Sequence, residues 1–99
     1  MKAIPSQFED RTFTYTQLSR EGMIALYSQT HKASQHVRYE VIKLSVAKEH
    51  TWPAGNTTPE HEAYPSSSAW GRDGFTFFTR DAAETHMRRW VTDRQENGI

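Results

Sequence analysis

The sequence predicts an α+β domain in which a small antiparallel sheet of three to four strands carries a C-terminal helix on one face. Three observations lead there. Short runs of aromatic, β-branched and polar residues recur at 12–16, 36–47 and 75–78, the composition and alternation of half-buried strands. One longer stretch, 80–94, spaces its apolar residues with a helical period. A chain of 99 residues with 35% hydrophobic content has material for one core and no room for a second, so residues 1–99 form one domain.

The composition of that core is unusual. Nine of the hydrophobic residues are alanine and twelve are aromatic, whereas Leu, Ile, Val and Phe together number only 16 of 99. So low a count warns of disorder only when net charge is high and aromatics are few. Here the formal net charge is zero and aromatics reach 12%, which predicts a folded domain packed on rings more than on aliphatic chains.

The elements follow in order. Residues 1–10 hold Pro5 and the acidic pair Glu9 and Asp10 without a period, and read as a flexible arm. Thr12 to Thr16 (TFTYT) alternate as a strand, and 17–21 would add one helical turn before Gly22. Residues 23–29 read as a strand, because Gly22 inside a helix would cost about 1 kcal/mol relative to alanine and no single apolar stripe forms. A polar turn at 30–35 (THKASQ) leads into a longer strand over 36–47. There Val37, Tyr39 and Val41 face one side, and Ile42, Leu44 and Val46 the other. The switch requires a bulge or a strand covered on both faces, and either makes this the central strand.

From residue 48 to 73 the pattern breaks, with Pro53, Gly55, Pro59, Pro65, three consecutive serines and Gly71. Connections longer than about 12–15 residues are uncommon in small domains and are usually functional or disordered. Order resumes with a strand at 75–78 (FTFF), Thr79 as N-cap, and the helix, whose Ala83, Met87, Trp90 and Val91 make one apolar face. Asp81 and Glu84 lie early and Arg88, Arg89 and Arg94 late, as the helix dipole favours, with Glu84 and Arg88 an i, i+4 pair. Residues 95–99 should fray.

Chemistry-bearing residues are abundant, yet their spacing is unspecific. Five histidines include none at the i, i+4 spacing of a helical zinc site, and Glu60, His61 and Glu62 with His50 offer only adjacent loop residues, so no metal or cofactor is expected. No nucleophile elbow surrounds Ser66, Ser67 and Ser68, and no apolar sequence flanks the paired carboxylates, so no catalytic residue is assigned. The Asn56-Thr57-Thr58 glycosylation pattern is a chance match where no apolar leader accompanies it. That same lack of a leader, of an 18-residue apolar run and of any cysteine points to a cytoplasmic protein outside the membrane.

Two surfaces could bind. Trp52, Tyr64 and Trp70 lie in the long connection, where they either fold back to cap the sheet or form a protein-contact surface, Trp70 anchoring and Trp52 presented. Arg80, Arg88, Arg89 and Arg94 could contact phosphate, although Asp81, Glu84 and Asp93 interrupt them. Residues 1–48 carry seven basic and four acidic side chains and 49–99 five and eight, a +3/−3 polarity that also allows association between copies.

The segments GMIALYSQ, YEVIKL and EAYPSSSAWGRDGFTFFTRDAAE, within Gly22 to Glu84, resemble small uncharacterised reading frames of bacteriophages and prophages. Tyr64, Pro65, Ser66 and Ser67, with Trp70, Gly71, Gly74 and Phe75, carry most of that likeness. It implies a phage-type accessory protein and transfers no functional residue. The expectation is therefore a protein-binding module for a host or phage protein, with a nucleic-acid-associated protein as the alternative.

Overall fold

The computed structural model describes residues 2–97, with side chains through residue 93. Its main sheet has five antiparallel strands: β1 (Gln7–Glu9), β2 (Phe13–Glu21), β3 (Ile24–His31), β4 (Val37–Lys43) and β9 (Gly74–Phe77), in the spatial order β1-β2-β3-β4-β9. Between β4 and β9 the chain forms β5 (Ser45–Ala47), β6 (His50–Thr51), β7 (Thr57–Thr58), β8 (His61–Ala63) and a single 3₁₀ turn, Ser67–Ala69. Helix α1 (Arg80–Asn97) closes the order and packs on one face of the sheet, so the α+β architecture is the one predicted.

Residues 1–10 are not a loose arm. Phe8 pairs with Tyr15 across β1 and β2 and stacks on its ring at 4.7 Å, while Tyr27 donates to the Pro5 carbonyl at 2.9 Å. Scattered apolar residues, Ile4 and Phe8 among them, leave no period to read; the sheet edge and the ring supply what ties the segment down. Asp10 then turns the chain, its carboxylate accepting the backbone N–H groups of Thr12 and Phe13 at 2.8 and 2.7 Å.

No helical turn occurs at 17–21. β2 runs through it to Glu21, with a bulge between Gln17 and Ser19 that brings Leu18 to the helix side. Gly22 follows with φ +60° in a two-residue hairpin closed by Glu21 and Ile24, the position where a first central glycine suits the turn.

The predicted 36–47 strand divides at Leu44. β4 stays in the main sheet, whereas β5 turns away to pair with β8. Of the two explanations for the change of side at Val41 and Ile42, the structure shows coverage of both faces. Val41 packs with Leu26, Ala83 and Met87 under the helix, and Ile42 with Tyr15, Ala25 and Tyr27 on the opposite face. The middle strand is β3, not β4, because Ile24, Ala25, Leu26 and Tyr27 are all buried. Full burial of each such large side chain contributes about 1.5–3 kcal/mol.

Residues 48–73 are likewise not a structureless loop. Strands of two or three residues are too short to show alternation, so their pairing emerges only in three dimensions. β9 starts one residue before the expected strand and ends at Phe77, leaving Phe78 80% exposed. The helix begins as predicted, with Thr79 Oγ1 accepting the Ala82 N–H at 3.2 Å and Ala83, Met87, Trp90 and Val91 on the sheet. Glu84, however, pairs back to Arg80 at 3.2 Å, not forward to Arg88. α1 continues to Asn97, three residues beyond the expected end; residues 98–99 of the tail lie outside the described residues.

Candidate interaction site

The connection between β4 and β9 contains two differently built parts. The first is the β6–β7 hairpin, in which His50 pairs with Thr58 and Thr51 with Thr57. Its tip is Trp52-Pro53-Ala54-Gly55-Asn56. The Gly55 N–H donates to the Trp52 carbonyl at 2.8 Å, the Trp52 N–H donates to the Asn56 carbonyl at 2.7 Å, and Gly55 has φ +93°. This is the three-residue hairpin loop built from a β-turn with proline second and a left-handed glycine after it. The P-x-G spacing was the readable signal; among so many breakers it passes for plain loop.

Trp52 stands on this hairpin 52% exposed. Its indole is nevertheless oriented: Nε1 donates to Thr58 Oγ1 at 3.1 Å, and the His50 ring meets it edge-on at 4.4 Å. Beside the hairpin lies an open groove of about 350 Å³, lined by Lys2, Ala3, Pro5, Thr58, Pro59, His61 and Glu62. Glu62 cannot serve as a free carboxylate there. Arg20 holds both its oxygens at 2.6 Å and the Ile4 N–H donates to Oε1 at 3.1 Å, and these contacts lower its pKa to about 2.

The second part is the anchor. Tyr64 and Trp70 do not share the surface of Trp52; they fold back onto the face opposite the helix. Tyr64 packs edge-on to Phe8, Tyr15 and Tyr27 at 5.6–5.9 Å, and Trp70 stacks on Tyr64 at 6.3 Å. The Trp70 indole also covers Gly74 so closely that any Cβ there would collide with it, and its Nε1 donates to Thr76 Oγ1 at 3.1 Å.

At the centre of the anchor is Glu40, only 6% exposed. It accepts from the Tyr64 hydroxyl at 2.5 Å and from Thr76 Oγ1 at 3.3 Å. Burial raises the Glu40 pKa, and the two hydroxyl bonds only partly offset this; Tyr64, desolvated beside a carboxylate, is pushed up as well. Sequence reasoning missed Glu40, because one acid in an otherwise apolar strand looks like any wet-face residue.

The sign of the pH effect follows. A carboxyl whose folded pKa lies above its unfolded value of 4.5 stabilises the fold below that value and loses the contribution as pH rises through the folded pKa. The Glu40→Gln variant keeps an acceptor and cannot ionise. Wild type is therefore expected to lose stability relative to Glu40→Gln between pH 4.5 and 8, by denaturant melts at each pH. A difference that stays constant across that window would contradict the assignment. Glu62 acts oppositely and cancels in this comparison: its depressed pKa stabilises above 4.5 and fades as pH falls toward about 2.

Among the described side chains, the helix arginines are not brought together. Arg80 is engaged by Glu84, Arg88 donates to Thr85 Oγ1 at 3.2 Å, and the Arg94 side chain lies outside the described residues. At about 100° per residue, Arg80 and Arg89 project to opposite sides of the helix. No group of three or more His, Asp or Glu side chains suited to a metal ion occurs among the described residues, and no helix is long and apolar enough to cross a membrane.

Fold and site together define an α+β domain whose five-stranded sheet is clamped on one face by a helix and on the other by an aromatic anchor, and which displays one oriented tryptophan. No protein-family model, curated protein or solved structure matches the chain.

Proposed function

We propose that this chain is a protein-binding module, of the phage-accessory type its sequence resembles, that engages a host or phage protein through the Trp52 hairpin. One observation carries the reading: Trp52 is half exposed and yet held by Thr58 and His50 on a closed hairpin. A solvent-facing indole that is already oriented loses little side-chain entropy on docking and brings a large apolar surface to the contact. Tyr64 and Trp70 serve it by pinning the connection to the sheet.

The test is capture from host lysate by immobilised wild type and Trp52→Ala. The variant is expected to lose the partners that wild type retains, with a melting temperature within a few degrees, since an exposed substitution usually changes stability by no more than about 0.5 kcal/mol. Unchanged capture would overturn the proposal.

The nucleic-acid alternative draws less support, because Arg80 and Arg89 project to opposite sides of the helix and Asp81, Glu84 and Asp93 interrupt the arginines along the sequence. Retention on DNA or RNA at low salt, falling steeply as salt rises, would favour it instead.

A further inference from the structure

The outer side of the helix clamp is built on rings. His86 of α1 lies against Phe75 and Phe77 of β9, with ring centroids 4.8 and 5.2 Å away, and meets Trp90 one turn along the helix at 4.6 Å. Phe75 closes the group by packing edge-on to Trp90 at 5.6 Å. The spacing brings them together: residues four apart share a helix face, and residues two apart in a strand point to the same side of the sheet. Packing alone asks only for an apolar ring at position 86. The residue present is an imidazole, which can gain a charge near neutral pH.

The surroundings suit only its neutral form. His86 Nε2 is buried and has no hydrogen-bond partner among the described residues. A protonated imidazole carries an N–H on both nitrogens, so the buried one would hold a donor, and part of the positive charge, with no acceptor to meet it. The charged groups facing the cluster add to that cost. β9 contributes none, β4 contributes Lys43, whose ammonium lies over the Trp90 ring at 4.5 Å, and α1 contributes Arg89. Ring faces attract cations, but at Trp90 that attraction already holds Lys43, and a second positive charge beside it is repelled. Burial first, then Arg89 and Lys43, keep the imidazole below its ordinary pKa of 6.5.

We propose that His86 is an acid-sensitive latch between α1 and β9: neutral, it completes the ring cluster; protonated, it leaves the rings and frees the outer side of the helix from the sheet. The loosening stays local. Leu26, Val41, Ala83 and Met87 still pack on the inner side of the helix, and Tyr15, Tyr27 and Ile42 hold the strands from the opposite face. Because the folded pKa lies below 6.5, the stabilisation by the latch is complete above that value and is lost as pH falls from it toward the folded pKa. Glu40 acts with the opposite sign, losing its contribution as pH rises.

The test follows amide protection by NMR, corrected for the intrinsic pH dependence of exchange, together with the titration of the His86 ring. It runs from about pH 8 to about pH 5, the range in which histidine takes up its proton. In wild type, protection in α1 and β9 is expected to fall severalfold as the His86 ring titrates, while β3 keeps its protection. His86→Phe retains a ring that cannot be protonated, and its α1 protection is expected to stay level. Where phenylalanine packs too tightly to fold, His86→Gln removes the same titration with a smaller side chain. The other histidines and Glu40 are common to all three proteins and cancel in the difference. A fall in α1 protection that persists in the variants, or that β3 shares equally, overturns the proposal. So does a wild-type His86 that titrates while α1 protection holds constant. The Trp52 hairpin takes no part in this contact, so the outcome is independent of the hairpin's role.

Discussion

Replacing Trp70 with alanine is expected to cost about 3 kcal/mol, near the lower end for loss of a large core aromatic because the ring is only partly buried. In a chain of this size, with roughly 4–8 °C per kcal/mol, the melting temperature should fall by about 12–24 °C. The reasons lie in its contacts. The ring fills the space above Gly74, stacks on Tyr64 and donates to Thr76, whose hydroxyl donates in turn to buried Glu40. Truncation leaves a void over the end of β9 and loosens a carboxylate that water cannot readily reach. Trp70→Phe should restore most of the packing and lose about 1 kcal/mol for the indole N–H. Trp52→Ala should leave the melt nearly unchanged, so the two tryptophans separate by calorimetry alone. A Trp70→Ala protein melting within a few degrees of wild type would remove that residue from the core and the anchor from the account.

Tyr27→Ala is the other large effect, expected at about 3–5 kcal/mol. Tyr27 is fully buried in the middle strand, against Phe8 and Tyr64. Its hydroxyl accepts from Gln17 Nε2 at 3.0 Å and donates to the Pro5 carbonyl at 2.9 Å, so it joins the N-terminal segment to two strands at once. Tyr27→Phe isolates that junction. It should lose about 1 kcal/mol globally while amide exchange in β1 accelerates more than in β3. Equal acceleration in both strands would show that the N-terminal segment is held by other means.

The sequence stated the helix well because its evidence is local. Thr79, the 83, 87, 90 and 91 spacing and the charge gradient all lie within one stretch and need no partner to be recognised. β3 and β4 were readable for a similar reason, as runs of Ile, Leu, Val and Tyr bounded by Gly22 and by a polar turn. The N-terminal segment and the 48–73 connection were not. Phe8, Tyr64 and Trp70 are isolated aromatics in polar surroundings, and whether such a ring is core or surface depends on what stands opposite it. The missing opposite surface was the second face of the sheet, which the alternation at Val41 and Ile42 implied without saying what covered it.

Of the candidate site, the residue types were visible, and so was a division in which Trp70 anchors and Trp52 is presented; the side that Tyr64 takes was not. Two of the three aromatics became anchor and one display. That division depends on Glu40, an acid in β4 that meets Tyr64 from 24 positions away along the chain. By itself the sequence determined the α+β class, the helix and its buried face, because backbone period and capping are properties of neighbours along the chain. Only the tertiary structure decided that the far face is closed by the chain's N-terminal segment and connection, and that Trp52 and Phe78 are left outside. Burial of a ring or a carboxylate is set by atoms distant in sequence, and no local pattern records them.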